Sequence, residues 1–161
     1  KTIVFDHDKS ITKRAWIENH YGVVEISGPD LIETGIKQFQ KFGAELIKEE
    51  VTAITKNDDH FEIQTSNGTY QAKQILLATG VLTTLADSLG LKTKDATEPR
   101  IKSIFDVDDA GKTNVPGVWA AGTAAGVSVH TMITAGDGAK VAINIISELN
   151  GERYVDHDVL K

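Results

Sequence analysis

Apolar residues in this chain occur in short continuous runs, separated by polar segments and by two stretches of helical periodicity. Continuous apolar runs of three to six residues are typical of strands that are buried on both faces, as in a parallel sheet. Four runs have this character: Thr2–Phe5, Ala44–Ile47, Ile75–Ala78 and Val118–Ala121. We therefore predict a parallel sheet built from these four strands.

The two periodic stretches predict helices. Apolar residues recur every three or four positions between Pro29, which suits a first helical position, and Gly43, which suits a helix end. A longer helix is predicted from about Thr134 to Gly151, with Asp137 in its first turn, where a negative charge is favourable.

A third pattern predicts an antiparallel meander between the second and third runs. Its strands are Val51–Thr55, Phe61–Thr65 and Thr69–Ala72, and Asn67-Gly68 is a strong hairpin signal. Parallel strands, helices and a meander together predict a Rossmann-like α/β fold. We expect residues 1–161 to form a single domain.

Composition excludes several classes of protein. The chain has 161 residues, a net charge of −6 and no cysteine. The length is too short for two dinucleotide-binding domains, and the charge argues against nucleic acid or an anionic membrane as a partner. No apolar run is long enough to span a bilayer, so we expect a soluble, cytoplasmic protein. The absence of cysteine excludes a redox dithiol within these residues.

The first buried run ends in an Asp6-His7-Asp8 triplet, and Asp156-His157-Asp158 repeats it near the end of the chain. Neighbouring residues on a strand point to opposite faces, so a triplet cannot close around one metal ion, and we predict no metal site. An acid at the end of such a strand accepts hydrogen bonds from a ribose hydroxyl in dinucleotide-binding folds. The strand alone leaves that role and a solvated aspartate equally open for Asp6.

The order of the remaining motifs carries a family resemblance. Along the chain these motifs are E-N-x-x-G at residues 18–22, A-T-G at 78–80, V-P-G-V-x-A-A-G at 115–122 and A-G-D-G at 135–138. From Lys1 to about His157 the sequence resembles the short, single-domain members of the thioredoxin-reductase-like FAD flavoproteins. The resemblance favours ribose contact for Asp6 and implies FAD as the cofactor.

The resemblance also implies which residues face FAD. The backbone near Val51 would meet the adenine, and the other cofactor-facing positions are Asn19, Thr79, Gly80, Gly122, Thr123, Thr131 and Met132. Thr123 departs from the family, which has an aspartate that hydrogen-bonds the ribityl chain. His130 is a candidate proton donor to reduced flavin or substrate, and a capping or buried histidine is the alternative.

One family element has no counterpart in the 161 residues. The family opens with a strand, a G-x-G-x-x-G loop and a helix, whereas this sequence begins at Lys1 with the next strand. We expect upstream residues, and we expect the 161 residues alone to bind FAD poorly or not at all. We also expect no nicotinamide domain, because only residues 81–114 separate the A-T-G motif from V-P-G-V-x-A-A-G.

Two functional interpretations remain open. The first is an FAD-dependent oxidoreductase that receives electrons from a donor protein or from free NAD(P)H. The second is a cofactor-free remnant that acts as a nucleotide-binding or scaffolding module. Because a sheet without its central strand exposes apolar edges, we also expect a homodimer or larger homo-oligomer.

Overall fold

The computed structural model describes residues 1–155 of the chain. The secondary-structure elements in chain order are β1 (Ile3–Phe5), β2 (Trp16–Ile17), β3 (Ile26–Ser27), α1 (Gly28–Lys41), β4 (Glu45–Ile47), β5 (Val51–Lys56), β6 (Phe61–Thr65), β7 (Thr69–Ala72), β8 (Ile75–Leu77), α2 (Ala86–Leu89), β9 (Thr93–Asp95), β10 (Ser103–Phe105), β11 (Val118–Ala120) and α3 (Thr131–Asn150). Two 3-10 helices cover Ile11–Arg14 and Gly122–Ala125.

The four predicted buried strands form two parallel pairs. β1 pairs with β4, and β8 pairs with β11 in a register that sets Leu76 opposite Trp119. The α/β fold class is therefore confirmed. The prediction of one continuous sheet is not met within residues 1–155, because no hydrogen-bonded strand joins the two pairs there.

The antiparallel meander is confirmed almost to the residue. β5, β6 and β7 form one three-stranded sheet, and Thr65 and Gly68 close the predicted turn. The inward side chains of β5 and β6 join the main apolar core, where Ile54, Phe61 and Ile63 are buried. Phe5 from the first parallel pair packs edge-on against Tyr70, with 5.0 Å between ring centroids. These contacts bind the meander to the core.

Helix α1, Gly28–Lys41, lies within two residues of the helix predicted between Pro29 and Gly43. The Ser27 hydroxyl accepts a hydrogen bond from the Asp30 backbone N–H at 3.2 Å, and Pro29 lies in the first turn. At the other end, the chain leaves the helix through Gly43, whose φ is +83°.

Helix α3 begins three residues earlier than predicted, at Thr131. Its fully buried residue is Val141, which packs with Trp119 and Ala121 in a second apolar cluster. The helix comes this close because Gly111 faces Val141. A Cβ atom on Gly111 would lie 2.5 Å from Val141 Cγ2 and 3.1 Å from the Ala120 carbonyl oxygen.

The Gly111 contact gives a stability prediction. Gly111 has φ +92° and no room for a Cβ, whereas Gly43 has φ +83° and nothing within 4 Å of its Cβ position. Both Gly→Ala changes incur the left-handed backbone cost, but only Gly111→Ala adds overpacking, which costs about 1–3 kcal/mol. Urea denaturation should therefore give a free energy of unfolding for Gly111→Ala lower by that amount than for Gly43→Ala. Equal values for the two variants would contradict the close packing of α3.

Candidate functional site

Several of the candidate residues follow the carboxyl ends of the parallel strands. Asp6 follows β1 directly, and its backbone N–H donates to the Ile47 carbonyl at 3.0 Å. Val51, half-buried at the start of β5, lies four residues beyond Ile47. The chain thus brings Asp6 and Val51 to the same end of the first parallel pair.

Each residue of the Asp6-His7-Asp8 triplet has its own partner within the chain. Asp6 Oδ1 accepts the Asp8 backbone N–H at 2.8 Å, and His7 Nδ1 accepts the Lys9 backbone N–H at 3.2 Å. The Asp8 carboxylate forms an ion pair with Lys13 at 2.6 Å, and the hydrogen bond and charge of Lys13 lower the Asp8 pKa below its ordinary value.

Within residues 1–155, no group of three His, Cys, Asp or Glu side chains is arranged to hold a metal ion. The second triplet, Asp156-His157-Asp158, lies outside the described residues.

The turn after β8 is tight and open on one side. The Thr79 hydroxyl donates to the Leu82 carbonyl, and the Leu82 N–H donates back to the Thr79 carbonyl. Gly80 has φ +67°, and no atom lies within 4 Å of the position that a Cβ would take. Backbone at such a turn is accessible to a ligand that approaches the end of the strand.

The turn after β11 is joined to the turn after β8 through the strand pair, since Ala121 N–H donates to the Leu77 carbonyl at 3.0 Å. Gly122 has φ +70° and opens the 3-10 turn. Thr123, where the family has an aspartate, is only 8% exposed.

A carboxylate does reach this turn, but from α3. Asp137 Oδ2 accepts the Gly122 backbone N–H at 2.8 Å, and Asp137 Oδ1 lies 2.7 Å from Lys140 Nζ. The predicted place of Asp137 in the first helical turn was wrong, because α3 begins at Thr131 and Asp137 lies in the second turn. The sequence contained a signal for its inward direction, since Asp137 and the buried Val141 are four residues apart and share a helix face.

The start of α3 meets the E-N-x-x-G loop. His20 Nδ1 and Thr131 Oγ1 are 3.1 Å apart in a half-buried hydrogen bond. His20 is the residue next to the predicted contact Asn19, which is itself exposed. Two segments that are 111 residues apart in the chain therefore come together at this helix end.

His130 lies at the N-cap position of α3 but makes no side-chain cap. Its side chain is exposed, and its Nδ1 is 2.9 Å from Ser128 Oγ. This geometry matches neither a buried nor a capping histidine. The first N–H groups of a helix have no acceptor within the helix, and here they form the positive end of a 20-residue α3. Met132 is 42% exposed beside them.

The structure thus arranges the candidate residues in two groups. One group is Asp6 with Val51, and the other comprises Asn19, Thr79, Gly80, Gly122, Thr123, His130, Thr131 and Met132, linked through β8, β11 and the start of α3.

Comparison with known proteins places the chain in a family. The model of the pyridine nucleotide-disulphide oxidoreductase family matches residues 10–141. Over 65 residues, 40% of the chain, the sequence is 45% identical to the thioredoxin reductase of Treponema pallidum (strain Nichols). That match spans 21% of the relative, so the matched segment corresponds to about a fifth of the relative's length.

Solved structures have the same fold. A thioredoxin reductase from Gloeobacter violaceus superposes with a TM-score of 0.79 at 16% identity, over 99% of this chain and 90% of that one. A ferredoxin-flavin thioredoxin reductase from Clostridium acetobutylicum gives 0.72 at 17% identity, over 94% and 89%. None of the helices in the described residues is long and apolar enough to cross a membrane. The family match over most of the chain, supported by this shared fold, establishes that the protein belongs to the pyridine nucleotide-disulphide oxidoreductase family.

Proposed function

We propose that this chain forms the greater part of an FAD site in a thioredoxin-reductase-like, cytoplasmic oxidoreductase, with residues 1–161 acting as one domain. The observation that carries the proposal is the hydrogen bond between His20 and Thr131. It joins the E-N-x-x-G loop to the helix end that the family resemblance directs at the flavin.

The residues present fit such a cofactor in three respects. The turn at Gly80 leaves open space beside its backbone. The start of α3 carries positive dipole charge and no side-chain cap, which suits an electron-rich group. Asp6 stands at the end of β1 with its carboxylate 30% exposed, so it can still accept a ribose hydroxyl. Thr79 would supply a backbone contact, the Gly122 turn would lie beside the cofactor with its N–H bonded to Asp137, and Val51 would lie near the adenine.

When bound, FAD would supply the hydride or electron transfer, and the protein would supply binding and orientation. The positive end of α3 would stabilise negative charge at the Thr131 and Met132 backbone. His130, exposed beside them, would be the proton donor.

The electrons must come from outside these residues. The 161 residues contain no cysteine and no G-x-G-x-x-G motif for a nicotinamide cofactor. We therefore propose that a donor protein or free NAD(P)H reduces the flavin. A ferredoxin-flavin thioredoxin reductase among the structures of the same fold supports a protein donor.

Thr123 favours the second candidate function, a module that binds nucleotides or acts as a scaffold without turnover. Its neutral, buried hydroxyl replaces a charged acceptor, and neutral hydrogen bonds are weaker than charge-assisted ones. Flavin binding with electron transfer from NAD(P)H or a donor protein would exclude this candidate.

The proposal predicts a difference between two forms of the protein. Protein expressed from the complete gene should carry flavin, detected as visible absorbance that is released as FAD on denaturation. The 161-residue chain should be colourless, because the loop that holds the pyrophosphate in the family is absent from its sequence. A complete protein without flavin would contradict the proposal, and a yellow 161-residue chain would refute the need for that loop.

The ribose contact is tested at Asp6 in the protein from the complete gene. Asp6→Ala removes a charged acceptor and should cost about 1.5–3 kcal/mol of FAD binding energy, measured by flavin fluorescence titration. Asp8→Ala is the matched control, because the Asp8 carboxylate is held by Lys13 instead. Wild-type affinity in Asp6→Ala, or an equal loss in both variants, would refute this role of Asp6.

A homo-oligomer remains part of the proposal. Within residues 1–155, β1 and β8 each have one strand partner, and apolar side chains including Leu76 and Ile146 are more than a third exposed. A second copy would remove this surface from water. Light scattering on the 161-residue chain at micromolar concentration should report a dimer or larger species, and a monodisperse monomer would contradict the expectation.

A further inference from the structure

We propose that Asp137 is a positioning residue that fixes the Gly122 turn against helix α3. The inference rests on the proposed function, since that turn lies in the group of candidate FAD contacts. It assigns a role to a carboxylate that is not itself among those contacts.

The geometry of Asp137 is specific. Its Oδ2 accepts the Gly122 N–H at 2.8 Å, a normal distance for a charge-assisted bond, and its side chain is only 9% exposed. Lys140, one helical turn later, approaches the other carboxylate oxygen at 2.7 Å and is itself half-exposed. Both oxygens therefore have a partner, and the charge is balanced from the solvent side.

The Gly122 turn needs such a restraint. Gly122 has φ +70°, and glycine populates this conformation and its alternatives with little cost. The preceding residue, Ala121, is fixed by the strand pair through its bond to Leu77. The hydrogen bond to Asp137 restrains Gly122 in the same way.

The family resemblance expects an aspartate at residue 123. Asp137 supplies a negative charge near this place from a different position in the chain. Thr123 is neutral and buried. The carboxylate at this end of β11 comes from α3, so it ties the strand end and the start of the helix to each other. Movement of the strand end or of the helix would displace the Gly122 backbone relative to the Thr131 backbone.

The test compares three variants: Asp137→Ala, Asp137→Asn and Lys140→Met. The alanine variant removes the acceptor, the asparagine variant keeps an acceptor oxygen without the charge, and the lysine variant removes only the ion pair. Amide hydrogen exchange is measured by NMR on the 161-residue chain, as the ratio of the Gly122 rate to the Ala121 rate. General destabilisation accelerates both amides, so the ratio reports only the local contact.

We expect the ratio to rise about tenfold or more in Asp137→Ala, which is the loss expected for a charge-assisted bond. Asp137→Asn, which keeps an acceptor oxygen without the charge, should give a smaller rise, and Lys140→Met should leave the ratio unchanged. An unchanged ratio in Asp137→Ala, or an equal rise in Lys140→Met, would overturn the inference. If the alanine variant does not fold, Asp137→Asn still decides, because a wild-type ratio in that variant would show that the charge of Asp137 does not hold Gly122.

FAD affinity is then measured on protein expressed from the complete gene. Asp137→Ala should weaken FAD binding about tenfold, Asp137→Asn should weaken it less, and Lys140→Met should stay close to wild type. A changed exchange ratio with unchanged affinity would refute the link to the cofactor. Wild-type protein that binds no FAD would refute the proposed function, whereas the exchange ratio would still decide whether Asp137 holds Gly122.

Discussion

The fold depends on the burial of strand β11, because the second parallel pair and the long helix both pack against it. Val118, Trp119 and Ala120 are at most 1% exposed, so this strand is covered on both faces. Burial of a tryptophan requires a partner for its indole N–H, and Gln74 Oε1 accepts it at 2.7 Å. Lys112 Nζ lies 5.0 Å from the centre of the same ring and pairs with Glu148 of α3. The contacts around the buried Trp119 side chain therefore join strand β11 to helix α3.

This arrangement determines where the candidate site lies. Parallel pairing of β8 and β11 sets their carboxyl ends side by side, so the turns at Gly80 and Gly122 follow neighbouring strands. Helix α3 reaches the same end because Val141 anchors its middle in the core and Asp137 bonds to Gly122. The two turns and the N terminus of α3 are therefore held together by the packing of Val141 in the core and by the bond from Asp137 to Gly122.

The charges around α3 have a clear order. Its first turn contains no acidic residue, and the Asp137 carboxylate in the second turn is paired with Gly122 and Lys140. The positive end of the helix is therefore not neutralised by its own side chains. A helix end of this kind suits an electron-rich group.

The sequence by itself determined the elements that depend on local patterns. Turn residues such as Asn67-Gly68 and helix signals such as Pro29 act over a few residues, so the meander and α1 could be read directly. The family motifs also follow from sequence, since each is a short string in a fixed order. The start of α3 was placed too late, because His130 at the N-cap position makes no side-chain capping bond and Thr131 carries no apolar signal. Only the tertiary structure decided that the buried strands form two separate pairs, that His20 meets Thr131 and that Asp137 bonds to Gly122. These are contacts between residues 15 to 111 positions apart, and they depend on packing that no local pattern encodes.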